Sequence, residues 1–210
     1  MSTSALKLFG FAAMTLDHIG AVFFPQIPLL RILGRTAMPV FCFCIAQGFR
    51  HTSDVQRYGL RLLFFALLSE IPFDLAFYGR LFFPLYQNVF FTLFCGLFCL
   101  YWADCFPQFG WAGILLSCIA AQFLLCSDYG AYGVLLIVLF YYYESVTWDT
   151  AVFMALLTLG FFGFSLQLFA LLALPVLYYY NREKGAALHR YFYLYYPVHL
   201  LILAAIKFVI

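Results

Sequence analysis

Apolar residues run through this chain in blocks longer than most soluble helices or strands need, and polar residues gather at the breaks. Nine blocks can be drawn, at 5–24, 29–49, 57–78, 88–104, 110–126, 130–146, 149–163, 165–180 and 190–209. About 20 apolar residues in an α-helix cross a hydrocarbon layer, and inside lipid only a helix or a closed barrel satisfies its own backbone. The pattern predicts an all-α, polytopic bundle of about nine spans. Several blocks are shorter than a full span and are expected to tilt little or to stop short of one surface. The breaks carry turn chemistry at Pro25 and Pro28, Pro84, Pro107 with Gly110, and Asn181 through Gly185. The stretch 149–180 reads either as one long helix or as two short ones split near Gly160-Phe161-Phe162-Gly163.

Composition strengthens this picture. The 210 residues are 66% hydrophobic and 10% charged, where a soluble domain carries about 25% charged residues. Residues 1–210 read as one integral membrane domain in the lipid bilayer of the cell membrane. A net charge of +2 gives no argument for a nucleic-acid partner. The first block contains Lys7, Asp17 and His18 and lacks a small-residue cleavage pattern, so it is expected to be a retained helix. The seven cysteines are scattered through apolar runs with no CxxC and no histidine at ligand spacing. They read as small apolar filler, and no metal site is expected.

Charge also sets an orientation. Arg50, Arg57 and Arg61 follow the second block, and Arg182, Lys184 and Arg190 precede the last. Both groups should face the cytoplasm, so an even number of crossings separates them. That parity favours two helices over 149–180, nine spans, a cytoplasmic N-terminus and an external C-terminus. Ser53-Asp54-Val55-Gln56 resembles a capping box. Asn88, Asp128 and Asp149 stand where N-caps belong, with a functional role the alternative for Asn88 and Asp128.

Several ionisable residues fall inside the blocks, where a charge costs on the order of 2.5–3.5 kcal/mol. At a rise of ~1.5 Å per residue, Asp17, Arg35 and Glu70 lie ~10, ~9 and ~12 Å below the outer surface. His18 lies beside Asp17, Asp74 one turn above Glu70 across Pro72, and His199 near the middle of the last block. An Arg35–Asp17 or Arg35–Glu70 ion pair would fix helix register. The surplus of partners points to chemistry: His18 as general base with Asp17 or Glu70 orienting it, and Arg35 or Asn88 stabilising an oxyanion. At the inner surface Arg50, His51, Arg57 and Arg61 form a basic group that either sets topology or receives a phosphate-bearing ligand, with Lys184 and Arg190 as additions. The tyrosine runs at 141–143, 178–180 and 191–196 read as interfacial belts.

The polar motifs resemble those of the TraX family, membrane acetylases named for F-pilin N-terminal acetylation. The residues that carry the resemblance are Leu6-Lys7, Met14-Thr15-Leu16-Asp17-His18-Ile19-Gly20 and Ile32-Leu33-Gly34-Arg35-Thr36-Ala37-Met38-Pro39-Val40-Phe41. They continue through Gly48-Phe49-Arg50-His51-Thr52, Tyr58, Arg61-Leu62, Ser69-Glu70-Ile71-Pro72-Phe73-Asp74 and Gln87-Asn88-Val89. Further on come Asp128-Tyr129-Gly130, Gln167 to Pro175, and Tyr193 through Leu201 with Tyr196-Pro197-Val198-His199. The resemblance implies acyl transfer, with acetyl-CoA as donor co-substrate and a pilin-like peptide or another amine or hydroxyl as acceptor. No permanently bound cofactor is implied. On that reading Arg50, His51, Arg57 and Arg61 face the donor's phosphates, the pantetheine arm rises between helices, and Asp74, Asn88 and Asp128 support the acceptor side. Two other classes stay open: a small proton-coupled transporter using the acids and histidines as a relay, and a membrane assembly protein without enzymatic activity.

Overall fold

A computed structural model describes residues 1–185 and 189–209, with the side chains of His189 and Arg190 outside the described set. The helices are α1 (Thr3–Val22), α2 (Pro28–Gly34), α3 (Ala37–His51), α4 (Val55–Tyr78), α5 (Val89–Cys105) and α6 (Gly110–Ile119). They continue with α7 (Gly130–Tyr142), α8 (Trp148–Phe162), α9 (Ala173–Tyr178) and α10 (His189–Val209). A π-helical turn, Ala120–Leu124, extends α6, and a 3-10 stretch, Leu166–Leu172, leads into α9. The fold is an all-α bundle.

The apolar blocks become helical passes whose ends alternate. At one end, Glu144 pairs with Arg50 (3.6 Å) and Arg182 (3.4 Å). The Met1 ammonium reaches the Tyr179 carbonyl there, and Thr3 N–H donates to Glu183 O at 2.7 Å. The N-terminus and the connections after α3, α7 and α9 therefore share a side. At the other end, Lys207 donates to Ala76 O at 2.9 Å, and the segments at Gln87 and Ser127 meet as an isolated bridge. The stretch 149–180 forms two rods. They part at Gly163, whose φ of +59° is a backbone state that side chains disfavour.

Among the described residues, four helical stretches are long and apolar enough to cross a membrane: Thr3–Val22, Pro28–His51, Pro107–Leu124 and Tyr191–Val209. α4 has the length, at 24 residues, but carries Arg57, Arg61, Glu70 and Asp74. α5, α7, α8 and Leu166–Tyr178 are shorter apolar helices. The 13-residue α7 is sheathed by its neighbours: Tyr132, Val134, Leu136, Ile137 and Phe140 are fully buried.

Local chemistry explains the element ends, with some departures from expectation. Asp54, not Ser53, caps α4, its Oδ1 accepting from Arg57 N–H at 2.9 Å. Thr147 and Thr150 form the capping box of α8, leaving Asp149 in the first turn. Asn88 caps α5 through Phe90 N–H at 3.1 Å. Asp128 caps nothing: Tyr129 is the N-cap of α7, with no side-chain cap bond. The second block breaks at Arg35–Thr36, because Pro39 lacks the N–H that would satisfy the Arg35 carbonyl.

Candidate functional site

The site forms where α1 meets α2 and α10 folds back on α1. Gly34 permits the first meeting. A Cβ there would lie 2.2 Å from the Asp17 Cβ, so only glycine lets α2 press onto α1 at this level. The approach brings both arginines of the α2 region to one carboxylate. Arg35 reaches Asp17 Oδ1 through Nε (3.1 Å) and Nη2 (2.6 Å), and Oδ2 through Nη2 (2.5 Å). Arg31 Nη1 adds a bond to Oδ2 at 3.0 Å. Arg35 Nη1 continues to Gln167 Oε1 at 3.1 Å, tying the 3-10 stretch to the same point. Charge-assisted, forked bonds of this kind carry geometric specificity as well as energy.

His18 turns the other way, towards α10. Its Nδ1 lies 2.8 Å from His199 Nε2, and the ring planes differ by only 11°. His199 Nδ1 lies 2.9 Å from Tyr195 O. A carbonyl only accepts, so His199 Nδ1 carries a proton and donates. In neutral His199, Nε2 is then an acceptor, which makes His18 Nδ1 the donor and leaves His18 Nε2 with a free lone pair. A second ring thus fixes the tautomer of the first. Phe77 packs edge-on against His18 at 5.3 Å between centroids and holds the ring in place.

These groups line a cavity of about 370 Å³. Asp17, His18, Arg31, Arg35, Asp128 and Gln167 supply its polar wall; Met14, Phe41, Phe73 and Tyr196 are among its apolar and aromatic lining. Gln167 is buried, and its Nε2 donor finds no hydrogen-bond acceptor; the Tyr132 hydroxyl is near but outside hydrogen-bond geometry. Asp128 lies in the loop before α7 and accepts from the Tyr86 hydroxyl at 3.1 Å. Burial pushes its carboxyl up to about 6, with the Arg35 guanidinium pulling the other way. Tyr129, beside it, has φ +66°, a strained state for a bulky side chain. Thr92 hydrogen-bonds the Asp128 carbonyl and helps hold that turn, and the Tyr129 ring lies 5.9 Å from the Arg35 guanidinium.

The residues singled out from the sequence are therefore distributed. Asp17, His18, Arg35 and Asp128 meet at one cavity, and His199 stands behind His18. The partner of the His18 ring nitrogen is His199; the Asp17 carboxylate is taken up by two guanidinium groups and does not orient the imidazole. Glu70 sits in a separate cluster, accepting from Asn88 Nδ2 at 2.5 Å while that amide also donates to Ala66 O at 2.8 Å. Asp74 accepts from Phe83 N–H at 2.6 Å. This second cluster fastens α4 to the chain that leads into α5, and Arg35 pairs with Asp17, not with Glu70.

The inner basic group does not form one cationic mouth. Arg50 is engaged by Glu144 and by the Phe140 and Tyr141 carbonyls. Arg57 pairs with Asp54 at 2.9 Å, one turn away. His51 is exposed, and Arg61 lies 5.6 Å from the Tyr58 ring centre. The expected contribution of Arg190 falls outside the described side chains. Arg31 and Gln167 are cavity residues to which the sequence pattern alone assigns no role. The signal for Gln167 is a lone amide inside an apolar run.

Apolar helices enclosing a buried layer of arginine, carboxylate and paired imidazoles define the chain as a helical membrane protein with a polar internal site. More specifically, it belongs to the TraX protein family, whose model matches residues 2–207. It is 32% identical over 235 residues to a protein of Dichelobacter nodosus described as "Probable fimbrial assembly protein FimC, serogroup H1", covering 98% of this chain and 96% of that protein. It is also 50% identical over 44 residues to "Uncharacterized protein RP591" of Rickettsia prowazekii (strain Madrid E), covering 21% of this chain and 18% of the other. No solved structure matches.

Proposed function

We propose that the protein is a multi-pass acyltransferase of the cell membrane. It moves an acetyl group from cytoplasmic acetyl-CoA to an amine or hydroxyl presented from the opposite side, with a pilin-like N-terminus as one acceptor class. The observation that carries this reading is the free lone pair of His18 Nε2, set by the His199–Tyr195 relay in a residue on the wall of a cavity that Gln167 also lines. Family membership and the fimbrial description of one relative support the acceptor class.

The acceptor nitrogen or oxygen attacks the thioester carbonyl carbon while His18 Nε2 takes the acceptor's proton. Negative charge develops on the carbonyl oxygen, and the Gln167 Nε2–H donors receive it. As that oxyanion collapses, the C–S bond breaks, the proton passes from His18 Nε2 to the leaving sulfur, and CoA departs as the free thiol while His18 returns to the neutral base. His199 orients His18 and shares the imidazolium charge. Asp17 holds Arg31 and Arg35 and, through Arg35, the Gln167 carboxamide.

The test is transfer of label from radiolabelled acetyl-CoA to membrane acceptors in membranes carrying the wild type or His18→Gln. Label that follows the wild type and disappears with His18→Gln supports the reading. Membranes that transfer no label to any protein, glycan or lipid fraction overturn it. His18-dependent proton flux in such membranes would then point to the transporter class.

A further inference from the structure

A second, narrower cavity of about 80 Å³ runs beside the first. The two share Met14, Phe41, Val89 and Tyr196 in their walls, so these side chains form the partition between two adjacent cavities. Five helices enclose the narrow one: α1, α3, α4, α5 and α10. Its far end carries Lys7, Tyr58 and Tyr193. Lys7 stands 11 residues before His18 on one helix, which at ~1.5 Å per residue separates their Cα atoms by about 16 Å. Lys7 belongs to the end of the bundle that also holds the N-terminus and Arg182, the side richer in basic residues and hence cytoplasmic.

Lys7, Arg61 and Lys184 differ from Arg50, Arg57 and Arg182 at this end, and of the three only Lys7 and Arg61 stand against residues of the narrow cavity. Arg50, Arg57 and Arg182 each have a carboxylate partner. Among the described residues Lys7 and Arg61 have none within ion-pair distance; Lys7 lies 5.3 Å from the Phe192 ring centre and Arg61 lies beside Tyr58 and Tyr193. An ammonium in the wall of a small apolar cavity, and a guanidinium behind two of its tyrosines, suit a ligand with an anionic head and a thin, unbranched body. The Tyr58 and Tyr193 hydroxyls add hydrogen-bonding groups along it. The cavity abuts the reactive one across Met14, Phe41, Val89 and Tyr196.

Resting on the acyl-transfer reading above, we propose that this passage holds the phosphopantetheine arm of the donor, with Lys7 and Arg61 binding its phosphate. The thioester then enters the cavity past Met14 and Tyr196, on the His18 side. The nucleotide remains outside the passage, whose volume of about 80 Å³ leaves no room for it. Of the expected phosphate-binding group Arg50, His51, Arg57 and Arg61, this keeps Arg61 and adds Lys7.

The experiment compares two truncated donors, acetyl-phosphopantetheine and acetyl-pantetheine, which differ only by the phosphate. In the wild type the phosphate should lower KM by roughly tenfold or more. Lys7→Gln should erase most of that difference with kcat nearly unchanged, and Lys7→Arg should restore it. A Lys7→Gln protein that keeps the full phosphate advantage overturns the proposal, as does one whose KM rises equally for both donors, which would mark a packing role or a lipid in the passage. If no acceptor is labelled at all, the acyl-transfer reading fails first. Binding then decides: phosphopantetheine should raise the Tm of the wild type but not of Lys7→Gln, and a wild type indifferent to it ends this proposal too.

Discussion

His18 and His199 lie 181 positions apart and share a 2.8 Å hydrogen bond. That bond, with the Tyr195 carbonyl behind it, assigns the protons: Nδ1–H on each ring and a bare Nε2 on His18. Removal of the first ring removes the proposed base, so on the acyl-transfer reading His18→Gln should fold and lose roughly 10²–10⁴-fold in acyl transfer. Removal of the second leaves a base with an unfixed tautomer. His199→Gln should therefore lower kcat by less, with KM for acetyl-CoA almost unchanged. Activity of the wild type should fall towards acid pH as the free base takes a proton before the acceptor arrives. Steady-state kinetics on the two variants check the ordering, and a His199→Gln loss larger than that of His18→Gln would reverse the roles.

The fit of α2 against α1 predicts a sharp contrast between two glycines. A methyl group at Gly34 would meet Asp17 Cβ at 2.2 Å and Oδ1 at 2.4 Å. Gly34→Ala should therefore separate the helices, loosen the Arg35–Asp17 fork and lower the Tm markedly. A methyl group at Gly160 would meet nothing within 4 Å, and Ala there should gain about 0.5–1 kcal/mol of helix stability. Thermal melts of both variants in detergent test this. Equal behaviour of the two would argue against the close contact.

The two glycines also show what can be read in advance. The break near Gly160–Gly163 is legible because a helix long enough for 149–180 violates the charge parity of the flanking loops. The shared depth of Asp17 and Arg35 is legible from helical rise along consecutive passes. Glu70 has the same depth, but depth does not fix the direction around the helix, and its side chain meets Asn88 instead. The His18–His199 bond requires knowing that α10 returns against α1, which no local pattern encodes. Arg57 looks free in the sequence because its partner Asp54 reads there only as part of a cap. Gln167 shows as a lone amide in an apolar run, but its inward face is unmarked because a 3-10 stretch has no 3.6-residue stripe.

Asp128 gives a pH signature. Its carboxyl is raised to about 6 in the folded protein, against about 3.9 in an unfolded chain. Between those values the folded state holds a proton that the unfolded state releases. The stabilisation from this group is present at acid pH and lost as pH rises through about 6. Asp128→Asn, which stays neutral throughout, should flatten that part of the stability curve. The wild type minus Asp128→Asn difference in Tm should shift by a few degrees between pH 5 and pH 7.5, with the variant relatively favoured at the higher pH. Superimposable curves would show that the half-buried carboxylate ionises normally.

Gln167 separates the acyl-transfer mechanism from a purely structural polar layer. Its Oε1 accepts from Arg35 Nη1 at 3.1 Å, while its Nε2 is buried without an acceptor. A buried donor left unpaired costs about 1–3 kcal/mol, which a stability role alone does not repay. A developing oxyanion would repay it at the moment of reaction. Gln167→Glu divides the two functions, because a carboxylate still accepts from Arg35 but neither oxygen donates when ionised. It should fold with a Tm near the wild type, keep KM for acetyl-CoA within a few-fold, and lose on the order of 10²–10³ in kcat. Gln167→Ala should lose similar activity and also some stability, since it strands one Arg35 donor. A Gln167→Glu enzyme with wild-type kcat would remove this amide from the reaction and leave the oxyanion to Arg31 or Arg35.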